Sequence, residues 1–177
     1  MEGVGAEAAS LAGHLELDNL CWIYDNNHIT IEGNTRITFT EDVAARFLGY
    51  QWNVLRVGDA NDLGRIEHAF TVSRLTKNRP TLIILDTHIG YGSPHRQDTA
   101  AAHGEPLGAE EVRLTKRDYG WAEDAQFLVP EGVREHFAQG LGARGARHHA
   151  EWIDLFAKYR AKYPQLAAEI EIGRAHV

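Results

Sequence analysis

Thr81-Leu82-Ile83-Ile84-Leu85-Asp86 is the stretch that decides the fold. Its uninterrupted apolar centre leaves no polar face, which suits a strand of a parallel sheet covered by helices on both sides. Pro80 breaks the pattern before it. Working outward, Trp52 to Val57 reads as a second strand and Leu20-Cys21-Trp22-Ile23-Tyr24 as another. Between these two, Thr40 is placed to cap a helix over Glu41 to Leu48, with Glu41 and Asp42 favourable at the positive end of its dipole. Asn61 or Asp59 caps a further helix, with Leu63, Ile66 and Phe70 facing inward and Arg74 and Lys77 near its end. Ahead of the first strand, Ala8, Leu11, Ala12 and Leu15 lie at helical spacing within a helix expected over Ala6 to Leu17. This alternation predicts right-handed βαβ units, hence an α/β fold: a parallel β-sheet with helices on both faces.

After Gly90 the texture changes. Residues 90–109 are rich in Gly, Pro, His and Asp without apolar periodicity, and loops of about 20 residues inside compact domains are often functional. Farther on, a capped helix is expected after Pro130, then a Gly-rich stretch from Gly140 to Gly145. A last helix is expected from about His148 to Tyr163, with Trp152, Leu155, Phe156 and Tyr159 on its buried face.

Composition narrows the function classes. The 177 residues are 44% hydrophobic and 24% charged, with a formal net charge of -7, ordinary for a soluble globular protein. The acidic balance and the lack of a basic block argue against nucleic acid as a partner. No apolar run approaches the roughly 20 residues that span a bilayer, and the start lacks the basic and apolar regions of a signal peptide. These features predict a soluble, cytoplasmic protein with no membrane partner. The single Cys21 makes no intrachain disulfide and reads as a small core residue.

The chemistry is concentrated in Tyr24-Asp25-Asn26-Asn27-His28-Ile29-Thr30-Ile31-Glu32-Gly33, directly after a strand. Ligands of open α/β sheets bind beyond the carboxyl ends of the strands. Carboxylate and amide oxygens there suit a hard cation such as magnesium, which also takes phosphate oxygens and water. The same residues are equally ordinary turn formers, because Asp and Asn side chains bond their own backbone.

Four ordered segments together resemble the first, diphosphate-binding domain of transketolase. They are residues 2–15 (Glu2-Gly3-Val4-Gly5-Ala6-Glu7 through Leu15), Tyr24 to Gly33, Thr87-His88-Ile89-Gly90-Tyr91-Gly92-Ser93-Pro94, and Ala102-His103-Gly104-Glu105-Pro106-Leu107-Gly108. The resemblance runs to about Glu171. It implies thiamine diphosphate held through magnesium (or calcium). It also implies transfer of a two-carbon ketol unit between sugar phosphates, as in the pentose phosphate pathway or Calvin cycle, by a homodimer. By resemblance, Asn27 gives the metal a side-chain oxygen and Ile29 a backbone carbonyl. Ile31 and Ile89 resemble apolar positions beside the cofactor's thiazolium ring, although burial in a plain core is the default for isoleucine. His103 resembles the histidine that reaches the cofactor phosphate and the substrate hydroxyl, and its reference pKa suits a proton relay. Against that stands the base rate of ten histidines, any of which can be a solvated loop residue. Glu7, and more weakly Glu2, resemble carboxylates at the family's dimer interface, where shared burial raises pKa values; each also reads as a surface glutamate. His88 and His95 match no family role.

The resemblance further implies a chain truncated at both ends. The family's Gly-Asp-Gly metal motif lies upstream of Glu2, and its second domain, with a glutamate that activates the cofactor from the partner subunit, follows this segment. The expected organisation is a partial diphosphate-binding domain over 1–130, its helical continuation over 131–171, and a non-native tail over 172–177 resembling a translated sequencing adapter. Weak cofactor binding and no turnover are expected of such a fragment. Rival readings are a related thiamine enzyme such as dihydroxyacetone synthase, and a non-catalytic subunit of the same fold. A plain nucleotide-binding domain is disfavoured because no Gly-x-Gly-x-x-Gly follows a strand.

Overall fold

The computed structural model describes residues 3–172; Glu2 and the tail over 173–177 lie outside them. Strands β1 (Cys21–Asn26), β4 (Asn53–Val57) and β5 (Thr81–Asp86) form a parallel sheet in the order β1-β5-β4. β5 pairs on both sides, with Cys21 and Asn53 each opposite Thr81. Its Leu82, Ile83 and Ile84 are at most 3% exposed, as the unbroken apolar run requires. Between β1 and β4 stands a small antiparallel hairpin of β2 (Ile29–Thr30) and β3 (Gly33–Asn34).

Helices cover both faces, as expected. On one face α1 (Gly3–His14) and α2 (Val43–Gly49) pack Ala9, Ala12, Val43, Phe47 and Trp52 against Leu82 and Ile84. On the other, α3 (Leu63–Leu75) brings Ala69 against Val57 and Ile83. The half-buried, free Cys21 thiol packs on that second cluster. Trp52 anchors the first: its indole donates to the Ala9 carbonyl at 2.8 Å, and its ring sits 5.0 Å from both Trp22 and Phe47. Tilted and edge-on aromatic pairs of this kind add to plain burial.

Local expectations need correction where small residues and caps decide. The helix α1 ends at His14, and its inner face is Ala9, Ala12 and Gly13, whereas Leu11 and Leu15 are more than half exposed. The cause is close approach: a Cβ on Gly13 would stand 1.9 Å from the Tyr50 carbonyl oxygen. Asp42, not Thr40, caps α2 by accepting from the Ala45 N–H at 3.0 Å. Asp62, not Asn61 or Asp59, caps α3 through the Arg65 N–H. Asp59 instead closes the preceding turn onto the Asn61 N–H. Leu63 and Phe70 are exposed; Ala69 and Ser73 hold the inner face with Ile66 half-buried beside them. The expected loop over 90–109 contains a one-turn helix, α4 (Ala101–Gly104), and leads into α5 (Ala109–Asp118).

The chain divides into two compact units between Asp124 and Ala125. The second consists of α6 (Val133–Phe137), a π-type turn over Ala138–Gly142 where a plain Gly-rich stretch was expected, α7 (Ala143–Lys162) and α8 (Pro164–Ile172). No side chain caps α6. Trp152, Phe156 and Tyr159 form a stacked stripe on α7, but of the expected buried face only Phe156 is buried: Tyr159 is half-buried, and Trp152 and Leu155 are exposed. No helix among the described residues is long and apolar enough to cross a membrane.

Candidate functional site

Because α2 and α3 lie on opposite faces of the sheet, the chain leaving β1 and the chain leaving β4 depart in opposite directions. Ligands of open α/β sheets bind at the carboxyl ends of the strands. There β1 and β5 end side by side, with Asn26 opposite Asp86. The Asn26 amide donates to Asp86 Oδ1 at 2.6 Å, and Thr87 donates its hydroxyl to Asp25. Arg56 of β4 stands 3.9 Å from the same Asp86 oxygen. Asp25 and Asn26 are therefore strand residues bonded across the rim, and Asn27 is the first to leave it.

Asn27 makes a side-chain turn: its Oδ1 accepts the Ile29 N–H at 2.9 Å, across His28 in the left-handed region at φ 61. The His28 carbonyl accepts the Thr35 N–H at 2.9 Å. This makes Ile29 and Asn34 the non-hydrogen-bonded pair of the hairpin, so the N–H and C=O of Ile29 face away from β3. The turn-forming reading of Asn27 therefore holds. The bond to Ile29 fixes the amide oxygen and leaves it a second lone pair. Among the described residues no three His, Cys, Asp or Glu side chains converge. Two neutral oxygens fit a hard cation whose remaining ligands are phosphate oxygens and water.

Ile31 lies at the hairpin tip, 70% exposed, so its reading as a core residue fails. On the α2 side of the rim is a cleft of about 410 Å³ lined by Tyr24, Asn26, His28, Arg36, Glu41 and Arg56, among others. Burial, followed by the charges of Asp25 and Glu41, pushes the Tyr24 phenol above its ordinary pKa, so it stays protonated there.

The second rim segment follows β5. Ile89 is half-buried and its carbonyl accepts from the Asp98 N–H at 3.0 Å. His88 Nδ1 stands 2.9 Å from the Asp98 carboxylate. Gly90, at φ 64, packs so closely on α4 that a Cβ there would lie 3.1 Å from Ala102 Cβ. That contact brings the neighbours of Ile89 and His103 together, with the His103 side chain exposed. Beneath the segment, Glu111 of α5 is nine-tenths buried. It accepts from Ser93 Oγ at 2.5 Å and from the His95 N–H at 2.8 Å, and lies 2.9 Å from His95 Nδ1. The Ser93 hydroxyl foremost, then the His95 N–H and imidazole, hold this carboxyl down to about 2. Sequence reasoning missed Glu111 and Ser93. The acidic first turn and basic last turn of α5 are a helix signature that marks the element, though not its partners.

Glu7 lies exposed on α1. His14, His68, His136, His148 and His149 are exposed helix residues, as their settings suggested.

The family model described as "Transketolase, thiamine diphosphate binding domain" matches residues 1–175. The chain belongs to that transketolase family. Among curated relatives it is 48% identical to transketolase of Nostoc sp. over 172 residues, which is 97% of this chain and 25% of that protein. It is 45% identical to transketolase 1 of Saccharomyces cerevisiae, over 96% of this chain and 25% of the relative. Among solved structures it resembles Pichia stipitis transketolase in complex with sedoheptulose-7-phosphate, with a TM-score of 0.82, 41% identity, and coverage of 97% of this chain and 25% of that one. The chain thus spans about a quarter of the length of the transketolases it matches. The α/β fold and the family read from the four motifs hold.

Proposed function

We propose that this chain is the diphosphate-binding part of a transketolase, a magnesium-dependent enzyme that moves a two-carbon ketol unit between sugar phosphates. One observation carries the reading. Asn27 Oδ1 is held by the Ile29 N–H at 2.9 Å in a turn at the carboxyl rim, with the Ile29 carbonyl two residues on. Those two oxygens would hold the cation, and the cation would neutralise the diphosphate. When bound, thiamine diphosphate supplies the electron sink for cleaving a carbon–carbon bond beside a carbonyl. This chain's residues bind and orient. Ile31 and Ile89 present apolar surface that keeps water from the reacting ring, and His103 donates to phosphate or substrate hydroxyl, or relays a proton. The sugar-phosphate complex of the Pichia stipitis protein supports the substrate class. The relatives' shared name favours transketolase over dihydroxyacetone synthase. Work in the cytoplasm, in pentose phosphate metabolism and as a homodimer with Glu7 at the interface, belongs to the same proposal.

Calorimetric titration of this chain with thiamine diphosphate, with and without magnesium, is the test. Magnesium is expected to strengthen binding, and Asn27→Ala to remove that gain while the fold persists. Binding indifferent to magnesium, or a magnesium gain untouched by Asn27→Ala, overturns the reading.

A further inference from the structure

Glu111 is a buried carboxylate that the proposed chemistry does not use, and its environment is unlike that of an ordinary ion pair. It receives a hydroxyl, a backbone N–H and an imidazole from a single three-residue stretch, Ser93 to His95. Ser93 is 2% exposed, so its hydroxyl has been taken from water, and loss of its acceptor would leave a buried donor unpaired. The arrangement is not a nucleophile relay, because Ser93 bonds the carboxylate and not the histidine.

From that anchor the loop is bonded toward both candidate ligand residues. Ser93 N–H donates to the Gly90 carbonyl at 2.9 Å and the Gln97 N–H to the Ser93 carbonyl at 3.1 Å. Asp98 N–H then returns to the Ile89 carbonyl. Arg96 pairs with Glu105 at 3.0 Å, just past α4, while Gly90 rests on Ala102 beside His103. At its far end α5 grips the same segment again. Tyr119 donates its hydroxyl to the Tyr91 carbonyl, and the two rings stack 6.3 Å apart. Helix α5 therefore splints the loop at two points, and Glu111 is the charged one.

We infer that Glu111 is the positioning residue of the rim: by gripping Ser93 and His95 it sets where Ile89 and His103 stand for cofactor and sugar phosphate. This rests on the proposed function for the ligand, while the loop anchoring is a property of this chain alone. Outer partners of metal ligands change affinity by about 10–100-fold when altered, and a carboxylate that positions a binding loop is expected to act at the lower end of that range.

The test uses this chain and its variants E111Q and E111A, with thiamine diphosphate plus magnesium as the probe. In E111Q, amide exchange at Asp98 and His103 is expected to quicken about tenfold while strand amides of β5 stay within about twofold, a local opening. Affinity for the probe is expected to fall about tenfold, with E111A shifting both further; if E111A does not fold, E111Q carries the test. Exchange rising equally in β5 makes Glu111 a general stabiliser and overturns the inference. So does unchanged probe affinity in E111Q when the parent chain binds. A parent chain that binds no probe sinks the proposed function instead, and the exchange pattern then decides the anchoring by itself.

Discussion

Two segments leave the carboxyl ends of adjacent strands and are built on opposite principles. The hairpin after β1 is local: Asn27 bonds Ile29, Thr30 bonds Gly33 at 3.0 Å, and Thr35 bonds His28, so every one of these contacts stays within the segment. The loop after β5 is tied from outside by Glu111 and Tyr119, 18 and 28 residues beyond the Ser93 and Tyr91 they hold. A locally closed turn keeps its shape whatever surrounds it. A splinted loop has a shape that depends on whether α5 is docked, so the second segment is where substitutions should propagate.

The largest effect is expected at Gly92. Its φ of +78 is a glycine conformation, and a Cβ there would fall 2.4 Å from the Tyr119 ring. Gly92→Ala meets backbone strain of about 1–3 kcal/mol and also displaces the half-exposed Tyr119 ring, with loss of its bond to the Tyr91 carbonyl. A loss of at least about 2 kcal/mol is expected in urea unfolding followed by tryptophan fluorescence. The Tyr91–Tyr119 stack should be lost from the near-ultraviolet circular dichroism. A variant as stable as the parent would mean that α5 does not splint this loop.

Protonation is the next lever. The Glu111 carboxyl is held down to about 2 against an ordinary value of 4.5. A carboxyl depressed in the folded state contributes its full stabilisation above the unfolded value and loses it as pH falls through the folded one. The splint should therefore weaken between about pH 4.5 and about pH 2. Near-ultraviolet circular dichroism of Tyr91 and Tyr119 should follow that window and should not do so in E111Q. The hairpin has no such carboxylate in its turn bonds, so the Ile29 amide resonance should not track the same step.

How far the sequence could be read follows the same division. The strand β5 was legible because four apolar residues with Pro80 before them admit few other structures. The turn after β1 was legible because an Asx turn is encoded within a few residues. Caps failed by one to three positions: Thr40, Asp59 and Asn61 are all competent, and the entry geometry of the chain selects Asp42 and Asp62. Of the inner face of α1 only Ala12 was legible; Ala9 and Gly13 carry little apolar signal and are chosen by the indole of Trp52 and the Tyr50 carbonyl. Glu111 was invisible because nothing near residue 111 announces a bond to residue 93.

Within the hairpin the effects should be smaller. A Cβ on Gly33 would meet nothing within 4 Å, and only its φ of +151 penalises a side chain. Gly33→Ala is expected to cost about 1 kcal/mol by strain alone, roughly half or less of the Gly92 loss in the same urea assay. Equal losses at the two glycines would erase the distinction between a self-closed turn and a splinted loop.

The smallest effect on stability is expected at Ile31, and there the two possible roles of an isoleucine separate. At 70% exposure its side chain has little surface left to lose, so Ile31→Thr should change unfolding free energy by no more than about 0.5 kcal/mol. A core isoleucine cut back to a polar residue would cost several times that, because a methylene is lost and a hydroxyl is buried. If Ile31 is a wall for the cofactor ring, the same variant should weaken magnesium-dependent binding of thiamine diphosphate while the melting curve stays in place. Binding that stays level along with stability would leave the hairpin tip outside the site. The apolar contact would then fall to Ile89 alone, on the loop that Glu111 holds.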